Sequence, residues 1–147
     1  MVDVKTAIEI KAPLQQVAAY AMNQDNAPFW YVNIKSVDWK APKPIAVGSR
    51  FAFTAHFLGR KLAYVYEVVQ LSDTVMVMRT ADGPFPMETT YHFEKIDEST
   101  TRMILRNRGT PSGFSKLLSP FMGAKIRKAN MKDLKKIKDI LEHKHDQ

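Results

Sequence analysis

The chain has no cysteine. Disulfides, thiolate nucleophiles and thiolate metal sites are therefore excluded, and the absence fits a reducing compartment. It also has no apolar run near the ~20 residues that cross a bilayer as a helix. The N-terminus opens on a strand-like alternation and lacks the basic stretch and apolar block of a signal peptide, so a cytoplasmic location is expected. Catalytic signatures are missing too. There is no Gly-x-Ser-x-Gly, no His-Glu-x-x-His, no phosphate-binding glycine-rich loop and no dinucleotide fingerprint. His56 and His92 fall on outward strand faces, as do Glu67, Glu88 and Glu94, while His143 and His145 sit near the end of the chain. No inward carboxylate is expected beside an inward histidine, so no catalytic pair, metal or organic cofactor is expected.

What is present is ordinary in bulk. Of 147 residues 45% are hydrophobic and 25% charged, enough for one domain over residues 1–147 with a real core. Val2, Val4, Ile8 and Ile10 alternate with Asp3, Lys5 and Glu9, which predicts a first strand with one buried face. Pro13 suits a helix start, and Leu14, Val17, Ala18 and Ala21 form that helix's apolar stripe. Asp25 or Asn26 is placed to cap a second short helix through Pro28, Phe29 and Trp30. Strands are then predicted over 32–39, 48–57, 61–69, 74–80, 87–94 and 100–107. Connectors such as Leu58-Gly59-Arg60 and Leu71-Ser72-Asp73 are short, so neighbouring strands pair antiparallel. The last segment is helical. Phe114, Leu117, Leu118, Phe121, Met122, Ile126, Asn130, Leu134, Ile137 and Leu141 recur every three or four residues. Pro120 inside this run predicts a kink or a restart at 119–120.

Four local stretches carry a resemblance. They are Val47-Gly48-Ser49-Arg50-Phe51, Gly83-Pro84-Phe85-Pro86-Met87-Glu88-Thr89-Thr90-Tyr91, Thr101-Arg102-Met103 followed by Arg106-Asn107-Arg108-Gly109, and Pro111-Ser112-Gly113-Phe114. Together with the order of elements they resemble the START/Bet v 1-like (SRPBCC) superfamily, in particular its bacterial polyketide cyclase/dehydrase and lipid-transport group. The resemblance covers essentially the whole chain. It implies an α+β helix-grip fold, with a curved seven-stranded antiparallel sheet wrapped around a long C-terminal helix and two short helices after the first strand. It implies less about function, because the superfamily includes carriers, hormone receptors and cyclases. Function has to be read from the cavity wall.

Strand alternation assigns that wall. Phe51, Phe53, Ala55 and Phe57 share one face of their strand, and Leu62, Tyr64, Tyr66 and Val68 one face of the next. Met76 and Met78 are assigned inward over Val75 and Val77. Met87, Thr89, Tyr91 and Phe93 follow, then Met103, Leu105 and Asn107. From the last helix Phe121, Ile126, Asn130 and Leu134 complete the wall, with Trp30 and Tyr31 as a rim. Such side chains either pack solid or enclose a cavity, and a strongly bent sheet favours the cavity. Methionines suit a pocket of loose specificity. Asn107 and Asn130 interrupt apolar faces, and a buried amide must bond either the fold or a ligand. The expected function is binding, with transport as an extension, of a hydrophobic or amphipathic small molecule such as a lipid or polyketide. A cofactor-free aromatase/cyclase or dehydratase is one alternative, and a protein-interaction module another. The ligand and the oligomeric state are left open by the sequence.

The net charge is +7, and its location matters more than its size. Between residues 125 and 138, Lys125, Arg127, Lys128, Lys132, Lys135, Lys136 and Lys138 stand against a single Asp133. Seven less one is six, nearly the whole excess. Lys125, Lys128, Lys132, Lys135 and Lys136 recur opposite the apolar stripe as one solvent-facing band. No aromatic is interleaved with them as a stacking platform, so no specific nucleic-acid partner is expected. Weak contact with an anionic membrane surface is the further use such a band has. Association with DNA or anionic vesicles should therefore ignore base sequence and fall steeply with salt, because counterion release supplies its energy. Charge reversal at Lys128, Lys132 and Lys135 should abolish it. One DNA or RNA sequence bound far more tightly than others at physiological salt would overturn this.

Overall fold

The period-two segments become seven strands. A computed structural model describes residues 2–40, 44–57, 59–82, 86–109 and 119–145. Leu58, the corner at 83–85 and the stripe residues Phe114, Leu117 and Leu118 lie outside the described residues. The order is β1 (Val2–Ile10), α1 (Leu14–Met22), a 3₁₀ turn (Gln24–Asn26), α2 (Ala27–Trp30), β2 (Ile34–Trp39), β3 (Arg50–Phe57), β4 (Arg60–Leu71), β5 (Val75–Asp82), β6 (Met87–Asp97), β7 (Thr100–Gly109) and α3 (Ser119–His145). The sheet runs β1-β7-β6-β5-β4-β3-β2, antiparallel throughout. It curls around α3, which is the helix-grip arrangement.

Register places inward residues opposite inward residues. Phe51 pairs with Tyr66, Phe53 with Tyr64, Met76 with Tyr91 and Phe93 with Met103. On β5, Met76 and Met78 are buried and Val75 and Val77 only partly so. Gly59 turns the chain from β3 into β4 at a φ of 74°, a left-handed conformation that costs glycine little. Register shifts on β4, at Val65/Tyr66 and Val68/Gln70, add the local bend that lets the sheet wrap. At the outer edge, β2 has a further shift between Ile34 and Ser36.

Helix α3 begins at Ser119 with Pro120 in its first turn, where a missing N–H is harmless. Its Leu134, Ile137 and Leu141 are fully buried in the main core with Phe51, Met76, Tyr91, Met103 and Leu105. A second, smaller cluster joins Ile126 to Val2, Val4 and Met87. Charged groups fasten the helix along the free edge of β1. Arg127 donates to the Lys5 carbonyl at 3.1 Å and Lys138 to the Glu9 carbonyl at 3.0 Å. The Lys11 N–H donates to the Glu142 carboxylate at 2.8 Å. Two members of the basic run thus serve the fold, while Lys125, Lys128, Lys132, Lys135 and Lys136 are exposed. Among the described residues no helix is long and apolar enough to cross a membrane.

The capping expectation holds in position only. Asn26 is the N-cap residue of α2 but its side chain makes no capping bond, because the 3₁₀ turn runs directly into the helix and the side-chain cap lies one turn earlier. The Asn23 side chain accepts the Asp25 N–H at 3.1 Å, and the Asp25 carboxylate instead takes the Trp39 indole N–H at 2.5 Å.

Thr101 ties the start of β7 to the β1–α1 corner. Its hydroxyl donates to the Ala12 carbonyl at 2.8 Å, and both residues are fully buried. Thr101→Val keeps the shape and strands that carbonyl, at a cost of about 1–3 kcal/mol. The urea midpoint should fall with an unchanged m-value. An unaltered midpoint would show that the bond adds nothing to stability.

Candidate ligand cavity

Helix α3 joins the main core at one end only. Toward its C-terminus Leu134, Ile137 and Leu141 close the core. Toward its N-terminus Ile126, Ala129, Asn130 and Asp133 face a partly open cavity of about 150 Å³. The sheet side of that cavity is Phe53 and Ala55 from β3, Leu62, Tyr64 and Tyr66 from β4, Met78 from β5, Met87, Thr89 and Tyr91 from β6, and Asn107 from β7. Gln24 of the 3₁₀ turn, Tyr31, Asn33 and Ile34 close the remaining side. A space of this volume takes one benzene-sized ring, and lies below the roughly 300–1,000 Å³ of drug-sized sites. It fits a ring or the head of an amphiphile, not a long chain.

Eleven of the sequence-predicted residues meet there: Tyr31, Phe53, Tyr64, Tyr66, Met78, Met87, Thr89, Tyr91, Asn107, Ile126 and Asn130. Phe51, Met76, Met103, Leu105 and Leu134 share the inward faces but belong to the packed core and not to the cavity wall. Two assignments are corrected. Trp30 is no rim, being fully buried, with its ring 4.1 Å from that of Tyr31 and 5.6 Å, edge-on, from that of Tyr91. The single turn of α2 points Trp30 into the core and leaves its neighbour Tyr31 to the cavity. Phe121 is no wall residue, being 67% exposed, because the apolar stripe of α3 continues past the point where the helix meets the sheet. The side chain of Phe57 lies outside the described residues.

The residue missed is Asp133. It lines the cavity and is only 3% exposed. A signal was available. Ile126, Asn130, Asp133 and Ile137 step along α3 by four, three and four residues, which is the apolar stripe itself. Counting Asp133 with the surrounding lysines hid it. Gln24 and Asn33 were also missed, since neither lies on a strand or on a stripe.

The polar groups gather beside Asp133. Its carboxylate accepts the Val32 N–H at 2.8 Å. Burial pushes its pKa up from 3.8 to about 7, against the lowering effects of that bond and of the Lys136 charge. The hydroxyls of Tyr31 and Tyr91 bond each other. Burial also raises the pKa of both phenols, and of Tyr64 and Tyr66, so all four stay protonated at neutral pH. On the sheet side the Thr89 hydroxyl donates to Asn107 Oδ1 at 2.5 Å, which gives that asparagine a partner within the fold. Two atoms of the cavity wall are left over, and in the core beside it the Trp30 indole N–H is a third. The Gln24 amide donates to the carbonyls of Ala21 and Met22 at 3.4 and 3.2 Å, which sets its orientation. Its Oε1, like Asn130 Nδ2, is buried without a hydrogen-bond partner among the described residues. Among the described residues no second carboxylate and no histidine lines the cavity. The site therefore offers neutral donors, an amide oxygen and one carboxyl that titrates near pH 7.

A curved sheet gripping a helix over an internal cavity is the START-like, helix-grip fold. The model of the polyketide cyclase/dehydrase and lipid transport family matches residues 1–142, and the chain belongs to that family. A search of curated proteins gives no match. Solved structures share the fold. TTHA0849 from Thermus thermophilus is 19% identical, with a TM-score of 0.81 over 93% of this chain and 94% of its own. The Zhui aromatase/cyclase from Streptomyces sp. R1128 is 12% identical, with a TM-score of 0.80 over 95% and 93%. A START superfamily protein from Mycobacterium smegmatis is 12% identical, with a TM-score of 0.79 over 96% and 97%.

Asp133 makes stability depend on pH in a definite direction. Between about pH 4 and 7 the folded protein keeps a proton that the unfolded chain releases, so stability falls as pH rises through this window and levels off above it. Asp3, Glu88 and Asp97 are shifted downward, chiefly by bonds from Arg106, Arg79 and the Ser99 N–H, and act in more acid solution. Asp133→Asn should flatten the pH 5–7 slope and raise stability at pH 8 on the order of a few kcal/mol. Urea melts across pH 5–8 measure this, and an identical slope in wild type and variant would refute it.

Proposed function

We propose that the protein binds a hydrophobic or amphipathic small molecule, such as a lipid or polyketide, in the cavity between the sheet and α3. The observation that carries this reading is the division of the wall. Phe53, Leu62, Met78 and Met87 make apolar lining on the sheet, where Thr89 and Asn107 bond each other, and Gln24, Tyr31, Tyr91, Asn130 and Asp133 bring polar groups to the helix side. Burying apolar surface drives uptake, and the polar end sets orientation. The family's description joins cyclase/dehydrase activity to lipid transport and supports either use. The volume favours a ligand that inserts one ring or one head group.

A second reading, a cofactor-free aromatase/cyclase or dehydratase, draws support from Asp133. A carboxyl poised near pH 7 inside a cavity suits general acid–base work. It would act alone, with protonated phenols beside it to hold the substrate.

An apolar environment-sensitive dye should bind one-to-one. Ala55 lines the cavity and is 8% exposed, so Ala55→Trp should fill the space and weaken the dye by about tenfold or more. Circular dichroism checks that the variant folds. A folded Ala55→Trp protein that binds the dye as well as wild type would place the site elsewhere.

A further inference from the structure

We propose that the outer face of α3 is a docking surface for an anionic lipid bilayer, with the Phe121 ring inserted at headgroup level and Lys125, Lys128, Lys132, Lys135 and Lys136 laid over the charged headgroups. The proposal concerns the outside of the helix and does not depend on what the cavity holds.

Two observations meet on this face. The first is alignment. Phe121, Lys125, Lys128, Lys132 and Lys135 are separated by four, three, four and three residues, so they stand in one line along the helix, with Lys136 beside it. All six are exposed, Phe121 at 67%. At roughly 1.5 Å per residue the line is about 21 Å long. It points away from the stripe that Leu134, Ile137 and Leu141 bury in the core. No acid stands in the line until Asp139, which pairs with His143 at 3.2 Å. The second observation is where charge is neutralised. On the sheet, Arg50, Arg79, Arg106 and Arg108 are bonded to Glu67, Glu88, Asp3 and Glu88 at 2.7 to 2.9 Å. Arg127 and Lys138 turn toward β1. Among the described residues none of the five lysines in the band is in an ion pair. The excess charge of the chain emerges here.

Charge alone suits any polyanion, and Phe121 decides among them. A nucleic-acid duplex keeps its bases stacked inside and offers a lone ring no apolar layer. The line also holds no second aromatic and no amide with which to stack on or read a base. A bilayer has its apolar layer directly beneath a charged surface and accepts a single phenylalanine at any point on it. Lysine suits the same surface. Its flexible apolar stem lies along the interface while the ammonium stays with the headgroups. The apolar stripe of α3 is buried in the protein, so only one ring enters the lipid. Attachment is therefore reversible and mainly electrostatic.

Sedimentation of the whole chain with phosphatidylcholine vesicles, with and without about one-third phosphatidylserine, tests this. Only the anionic vesicles should carry the protein down at low salt. Lys128→Gln and Lys132→Gln should each weaken binding about fivefold. Lys61→Gln, at an exposed position on β4, should leave it unchanged. Phe121→Ser should weaken vesicle binding severalfold and keep the salt dependence as it was, because the ring releases no counterions. The emission that Phe121→Trp adds to the wild-type spectrum should shift to the blue on anionic vesicles and stay in place on duplex DNA. Circular dichroism checks that each variant folds. No binding to anionic vesicles, equal binding to neutral ones, or a Phe121→Trp emission that vesicles do not move would overturn the proposal. So would a loss of DNA binding in Phe121→Ser as large as its loss of vesicle binding, which would make the face a surface for polyanions in general.

Discussion

The C-terminal half of α3 is the constraint on which the rest depends. Leu134, Ile137 and Leu141 are sunk fully into the sheet, and Lys138 hooks the backbone of β1, as Arg127 does nearer the helix start. That fixes the helix axis. Toward the other end β1 stays with the helix through Arg127 and Ile126, while β3 to β6 line the cavity. Ile126 finds a separate small cluster with Val2, Val4 and Met87, and the gap between the two clusters is the cavity. The space is a product of where the helix is held, and needs no residue dedicated to keeping it open.

Most of the fold was legible because its signals are periodic. Alternation on β1, β3 and β6 named the buried faces, and the helical stripe named Ile126, Asn130, Leu134, Ile137 and Leu141. The division of those faces between cavity and solid core was not legible. Met76 and Met78 alternate identically and both join the core, yet only Met78 also lines the cavity, because that depends on where α3 stands off along the strand. Trp30 and Tyr31 are neighbours with opposite fates for the same kind of reason. A one-turn helix has no periodicity from which to read its facing.

Asp133 shows a different failure. A net-charge count treats every ionisable residue as solvated, whereas the stripe position said that this one is buried. When the two signals conflict, position wins, since desolvation acts on the individual group and not on the segment average. The cavity also keeps Gln24 Oε1 and Asn130 Nδ2 buried and unbonded among the described residues. Stability is lower for it, and such concessions concentrate where a protein meets its ligand.

The hooks on β1 have a consequence beyond holding α3. An open sheet has two edges, and an unpaired edge invites another chain to add a strand. On one side the carbonyls of Lys5 and Glu9 are already taken by Arg127 and Lys138. On the other, β2 is short, carries Lys35 and Asp38, and slips register at Ile34/Ser36. Neither edge offers a straight ladder to a second molecule. The cations that hold the helix in place also keep a curved, aromatic-rich sheet from growing into its neighbours.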